Sequence, residues 1–144
     1  MKYTHKIIIN LPLKDTISKM DNLENLKKWQ KGLVEANVIS GEFGKKGAKT
    51  ELKYDFGNRK MTLIETILET NMPHKMLAEY KSKGVKNIQI NTFKATNDGK
   101  TIWESNSEFI FEGFGMKMLG FLMPATFKKQ SLKYMRDFKK FAEN

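Results

Sequence analysis

Few side chains in this sequence are equipped for covalent or proton-transfer chemistry. Cysteine is absent and only His5 and His74 supply imidazole, which removes disulfides, thiolate metal sites and thiol nucleophiles together. Neither histidine has a partner at the spacing of a catalytic triad or a metal-ligand set, so no metal and no cofactor is expected. His74 follows Pro73 in a loop. His5 alternates with Tyr3, Ile7 and Ile9 on the inward-reading face of a strand, where it is a candidate base. Glu65 is the second candidate: on a shared face with Met61, Leu63 and Ile67, burial would raise its pKa and fit it to carry a proton. The competing set Thr62, Ile64, Thr66 and Leu68 also reads as inward, and the expectation is a solvated Glu65.

A non-covalent chemistry is written in aromatic rings and small hydroxyls. Over residues 101–112, Trp103, Ser105, Ser107, Phe109 and Phe111 fall on one face of a strand. Ile102, Glu104, Asn106, Glu108, Ile110 and Glu112 fall on the other, the alternation of a half-buried strand. Tyr54, Phe56 and Tyr80 from other strands, and Phe127, Ser131, Tyr134 and Phe138 from the terminal segment, should converge on the same interior. A closed core seldom takes in three small hydroxyls without partners, whereas a wet cavity or a guest would satisfy them. The expected ligand-binding set is therefore Tyr54, Phe56, Tyr80, Trp103, Ser105, Ser107, Phe109, Phe111, Phe127, Ser131, Tyr134 and Phe138. The rings would cover an apolar guest, and Ser105, Ser107, Ser131 and Tyr134 would orient its polar end.

The elements that must position these residues follow from periodicity. Strands are expected over 2–11, 33–42, 48–56, 59–70, 75–82, 86–96 and 101–112, punctuated by Gly, Asn and Pro. Two short helices follow the first strand, over 13–20 and then over 23–29 with Asp21 or Asn22 as the cap. Short turns force antiparallel neighbours, so the sheet is expected to be a seven-stranded meander. A long helix over 125–143 puts Phe127, Ser131, Tyr134, Met135, Phe138 and Phe141 on one side and Lys129, Lys133, Arg136 and Lys140 on the other. A sheet this wide curls, and a curled sheet around one helix can leave a pocket between them.

The chain of 144 residues has a formal net charge of +10. Arg59 and Arg136 are its only arginines, so base and phosphate readout by planar guanidinium is poorly served, and no nucleic-acid partner is expected. No secretory signal is visible, and residues 114–127, interrupted by Lys117 and Pro124, fall short of the ~20 apolar residues of a spanning helix. A cytoplasmic location is expected. Gly115 and Gly120 have the spacing of a phosphate loop, but Phe121 stands where lysine is needed. The soft cluster Met116, Met118, Leu119, Phe121, Leu122 and Met123 has three readings: core packing, a lid over the pocket, or a patch with Lys117, Lys128 and Lys129 in weak contact with an anionic membrane. Met116, Met118, Leu119, Leu122 and Met123 are the candidate lid.

The order of elements carries a resemblance. INLP at 9–12, DNLENLKKW at 21–29, GAK at 47–49, IETI at 64–67, Pro73, GKTIW at 99–103 and GFLMPATFKKQSLKYMRDF at 120–138 recur in the order and spacing of one family. On these the chain resembles the helix-grip proteins of the START and polyketide-cyclase (SRPBCC) superfamily over its full length. The resemblance implies an α+β fold, a single START-like domain over 1–144, and a cavity for an apolar or amphipathic small molecule such as a lipid or polycyclic compound. Three functions are then open: carriage of that molecule, a cyclase, aromatase or isomerase using His5 or Glu65, and an interaction module with a filled interior.

Overall fold

The computed structural model describes residues 1–117 and 124–144. Seven strands form one antiparallel sheet: β1 (Lys2–Ile9), β2 (Leu33–Ser40), β3 (Lys49–Asp55), β4 (Lys60–Asn71), β5 (Lys75–Ser82), β6 (Val85–Ala95) and β7 (Thr101–Phe111). Between β1 and β2 run α1 (Leu13–Met20), a 3-10 turn (Leu23–Asn25) and α2 (Leu26–Trp29), and α3 (Pro124–Ala142) closes the chain. The fold is α+β, as the sequence predicts. Among the described residues no helix is long and apolar enough to cross a membrane.

The strand order is β1-β7-β6-β5-β4-β3-β2. β2 to β7 follow one another as short turns require. β1 corrects the expected meander: it pairs with β7, Tyr3 opposite Ser107 and His5 opposite Ser105, rather than with β2. The reason is the length of its connection. Two helices separate β1 from β2, so the tight-turn rule does not bind them, and the chain crosses to the far edge before β2 begins. Register shifts in β2 and in β4, between Ile67 and Glu69, add twist that curves the sheet.

Local chemistry fixes the short helices. Asn22 caps the 3-10 turn, its side-chain oxygen accepting from the backbone N–H groups of Glu24 (3.0 Å) and Asn25 (3.2 Å). Thr16 on α1 is fully buried, and its hydroxyl lies within hydrogen-bond distance of Pro12 O (3.1 Å) and of Thr101 Oγ1 at the start of β7 (3.2 Å).

α3 is tied to β1 along its length. Near its start the Tyr3 hydroxyl donates to Phe127 O (3.2 Å) and bonds Ser131 Oγ, and His5 Nε2 lies 2.8 Å from Lys128 O. Near its end Lys139 Nζ donates to Ile8 O (2.6 Å), and Lys19 Nζ reaches Ala142 O (2.9 Å), satisfying a terminal helix carbonyl. Below these ties lies the main core, where Ile9, Phe93, Trp103, Met135, Phe138 and Ala142 pack together. Phe138 meets Trp103 and Trp29 edge-on, with centroids at 5.6 and 5.2 Å.

Candidate functional site

α3 has its close neighbours in β1, α1 and α2. Over the middle strands it stands away from the sheet, and a cavity of about 550 Å³ lies between them, within the size range of small-molecule pockets. From the sheet, Tyr54, Phe56, Tyr80, Trp103, Ser105, Ser107 and Phe109 line it, and from α3 Phe127, Ser131 and Tyr134 do. Three other predicted residues stand elsewhere. Phe138 is fully buried in the core, one turn beyond Tyr134. Phe111 packs on Phe109 and Phe127 at the end of β7, outside the lining. His5 shares the inward face of β1 but lies outside the lining, half-buried with its Nε2 against Lys128 O, so it is not a cavity base.

Met116 lines the cavity. Its side chain fills the space over Gly84, whose φ of +77° belongs to the left-handed region and where an added Cβ would come within 2.8 Å of Met116 Cγ. The other candidate lid residues, Met118, Leu119, Leu122 and Met123, lie outside the described residues. Arg59 and Lys60, with Phe56, at the β3–β4 hairpin and Lys83 beside Gly84 bring three cations to the lining where these turns meet it.

The cavity wall is not uniformly apolar. Cross-strand pairing sets Glu65 opposite Tyr80, Tyr80 opposite Asn87, Gln89 opposite Ser107, and Asn91 opposite Ser105. With alternate residues of each strand facing inward, these make a polar band across the curved face. Within it the carboxamides of β6 form a relay. Trp103 Nε1 donates to Asn91 Oδ1 (2.9 Å), Asn91 Nδ2 to Gln89 Oε1 (3.4 Å), Gln89 Nε2 to Asn87 Oδ1 (2.6 Å), and Asn87 Nδ2 to Glu108 O (3.2 Å). The sequence reading missed Asn87, Gln89 and Asn91. Their alternation with Ile88 and Ile90 was present as a signal, but an inward face of three carboxamides contradicts the apolar-inside rule unless a cavity is already assumed.

Glu65 lines the cavity with Met61, Leu63 and Ile67, which corrects the expectation of a solvated carboxylate. The register shift after Ile67 sits beyond this stretch, so the regular alternation from Met61 carries Glu65 inward. Burial pushes its pKa up, against a smaller lowering by the neighbouring Tyr80 hydroxyl. Tyr80 itself is raised well above an ordinary phenol, by burial first and then by the Glu65 charge. Tyr54 is raised too, mainly by burial, and its hydroxyl donates to Gln30 Oε1 at 2.5 Å. No ion pair to Glu65 occurs among the described residues. The site thus offers apolar rings, a neutral hydrogen-bonding band and one carboxyl with a raised affinity for its proton.

A curved antiparallel sheet closed by one long helix, with the cavity between them, decides the architecture. The chain has the helix-grip fold. No family model and no curated protein matches the sequence. Solved helix-grip structures superpose on nearly all of it. Ara h 8.0201 is 10% identical, with a TM-score of 0.78, covering 99% of this chain and 97% of that one. The Zhui aromatase/cyclase from Streptomyces sp. R1128 is 10% identical, with a TM-score of 0.80 and coverage of 99% and 93%. A conserved protein from Geobacillus kaustophilus is 17% identical, with a TM-score of 0.72 and coverage of 99% and 95%. At these identities the likeness is one of helix-grip fold.

Proposed function

We propose that this helix-grip protein binds an apolar or amphipathic small molecule, a lipid or polycyclic compound, non-covalently between sheet and α3. One observation carries the reading: the cavity of about 550 Å³ has aromatic walls and hydrogen-bonding groups inside them rather than only at its mouth. Tyr54, Phe56, Tyr80, Trp103, Phe109, Phe127 and Tyr134 would cover the guest, whose burial contributes roughly 25 cal/mol per Å² gross. Ser105, Ser107 and Ser131 would orient its polar end. The fold shared with an aromatase/cyclase supports a pocket of this kind. An interaction module is disfavoured, because it called for a filled interior.

A second reading has its own observation. Glu65, a cavity-lining carboxyl whose burial raises its pKa, has the protonation behaviour of a general acid or base. In a cyclase, aromatase or isomerase it would move protons on the bound guest.

Native mass spectrometry of freshly purified protein tests the binding reading. The expected result is a small adduct that is lost on collisional activation and recovered by organic extraction. Apo mass alone, together with failure to bind 1-anilinonaphthalene-8-sulfonate, would overturn it. Glu65→Gln then separates the two readings: it leaves binding of the extracted compound intact in both, and abolishes its turnover only in the second.

A further inference from the structure

The relay on β6 is directional, and its ends fix the direction. The indole N–H of Trp103 can only donate, and the Glu108 peptide carbonyl can only accept. Asn91 must therefore turn its oxygen to Trp103 and its nitrogen to Gln89, Gln89 must turn its nitrogen to Asn87, and Asn87 its nitrogen to the backbone. Each carboxamide nitrogen carries two hydrogens and spends one within the relay. Among the described residues Asn87, Gln89 and Asn91 each keep a second N–H without a partner, and all three line the cavity. Their oxygens also have a spare lone pair, but an under-satisfied carbonyl is tolerated far better than an orphaned N–H. The band therefore asks for acceptors.

Charge narrows the class. The cations of the lining, Arg59, Lys60 and Lys83, stand at the hairpin ends, whereas the relay lies in the body of β6. A carboxylate brought to the relay would be buried without a counter-charge and with Glu65 in the same cavity, a costly arrangement. A neutral carbonyl oxygen satisfies the donors without that penalty. We propose that the guest is an apolar ring compound bearing a neutral carbonyl, and that its oxygen accepts the second N–H of Gln89, at the centre of the row, and that of one neighbour, Asn87 or Asn91, midway along the cavity. This rests on the binding reading above and adds the head group and its place.

The test uses three naphthalenes of one shape: 2-acetylnaphthalene, 2-isopropylnaphthalene and 1-(2-naphthyl)ethylamine, titrated into wild type and Gln89→Met. Loss of one useful hydrogen bond corresponds to about tenfold in affinity. The ketone is expected to weaken by about that factor in Gln89→Met, while the hydrocarbon stays within about twofold. Infrared spectra of carbonyl-labelled 2-acetylnaphthalene on wild type give a readout that needs no variant: the bound stretch should lie below its position in hexane. An unshifted stretch, equal responses of ketone and hydrocarbon, or tightest binding of the amine overturns the proposal and leaves the cavity reading standing. Failure of all three to bind overturns the proposal, and together with apo mass alone and no 1-anilinonaphthalene-8-sulfonate binding it overturns the binding reading as well.

Discussion

Glu65 faces a cavity instead of bulk water, and its protonation makes that visible in stability. Its folded pKa is raised by burial above the ordinary carboxylate value, so the folded state binds the proton more tightly than the unfolded chain. The resulting stabilisation is complete below the unfolded pKa and is lost as pH climbs through the folded one. Glu65→Gln keeps an acceptor for Tyr80 and removes the charge. Its unfolding free energy should match wild type near pH 4 and exceed it at pH 7, by a margin on the order of 1 kcal/mol for each unit of pKa rise, read by denaturant unfolding at the two pH values. A variant less stable at pH 7 would mean that a cation compensates Glu65. Trp103 is the second informative residue. Trp103→Phe keeps the ring against Phe93 and Phe138 but leaves Asn91 Oδ1 without its donor. Loss of about 1–3 kcal/mol in denaturant unfolding is expected, together with weakened ketone binding, since Asn91 is then free to turn over.

At the scale of elements, α3 is fixed by what it buries at one end and what it leaves open at the other. Phe138, fully buried against Trp29 and Trp103, belongs to the closed end. Phe138→Ala should destabilise the protein by about 3–5 kcal/mol, read by chemical denaturation. Tyr134→Phe, which keeps a cavity-facing ring, should stay within about 1 kcal/mol. Sequence periodicity showed α3 and its buried stripe but not where along the stripe packing gives way to the cavity. Phe127, Tyr134 and Phe138 look alike in a helical pattern, and only their distance from the curved sheet distinguishes them. β7 was legible because its inward face pairs aromatics with serines against an outward row of carboxylates. β6 was not, because hydropathy alone turns Ile88 and Ile90 inward, whereas pairing with β7 turns Asn87, Gln89 and Asn91 inward. The position of β1 beside β7 was equally hidden: alternation fixes a strand's faces and is silent about its neighbour when the connection is long.

The whole molecule must tolerate the space that its function uses. At ~24 cal/mol per Å³, a dry apolar void of about 550 Å³ would cost about 13 kcal/mol, as much as the entire stability of a typical domain. A polar band avoids that cost, because Asn, Gln and Ser side chains can hold water where an aliphatic lining could not. The arrangement that makes the fold viable without a guest therefore also makes the wall selective for one, since an incoming molecule must replace the water it displaces. A guest that does so binds the folded state alone and stabilises it by mass action, about 2.7 kcal/mol at a hundred times its dissociation constant. For a chain of 144 residues that corresponds to a rise in melting temperature of roughly 5–10 °C. In calorimetric scans 2-acetylnaphthalene should produce this rise, and the shift should grow with the logarithm of its concentration above saturation. A shift that levels off near saturation would mean that the compound binds the unfolded chain as well, and no shift at any concentration would remove it as a guest of the cavity.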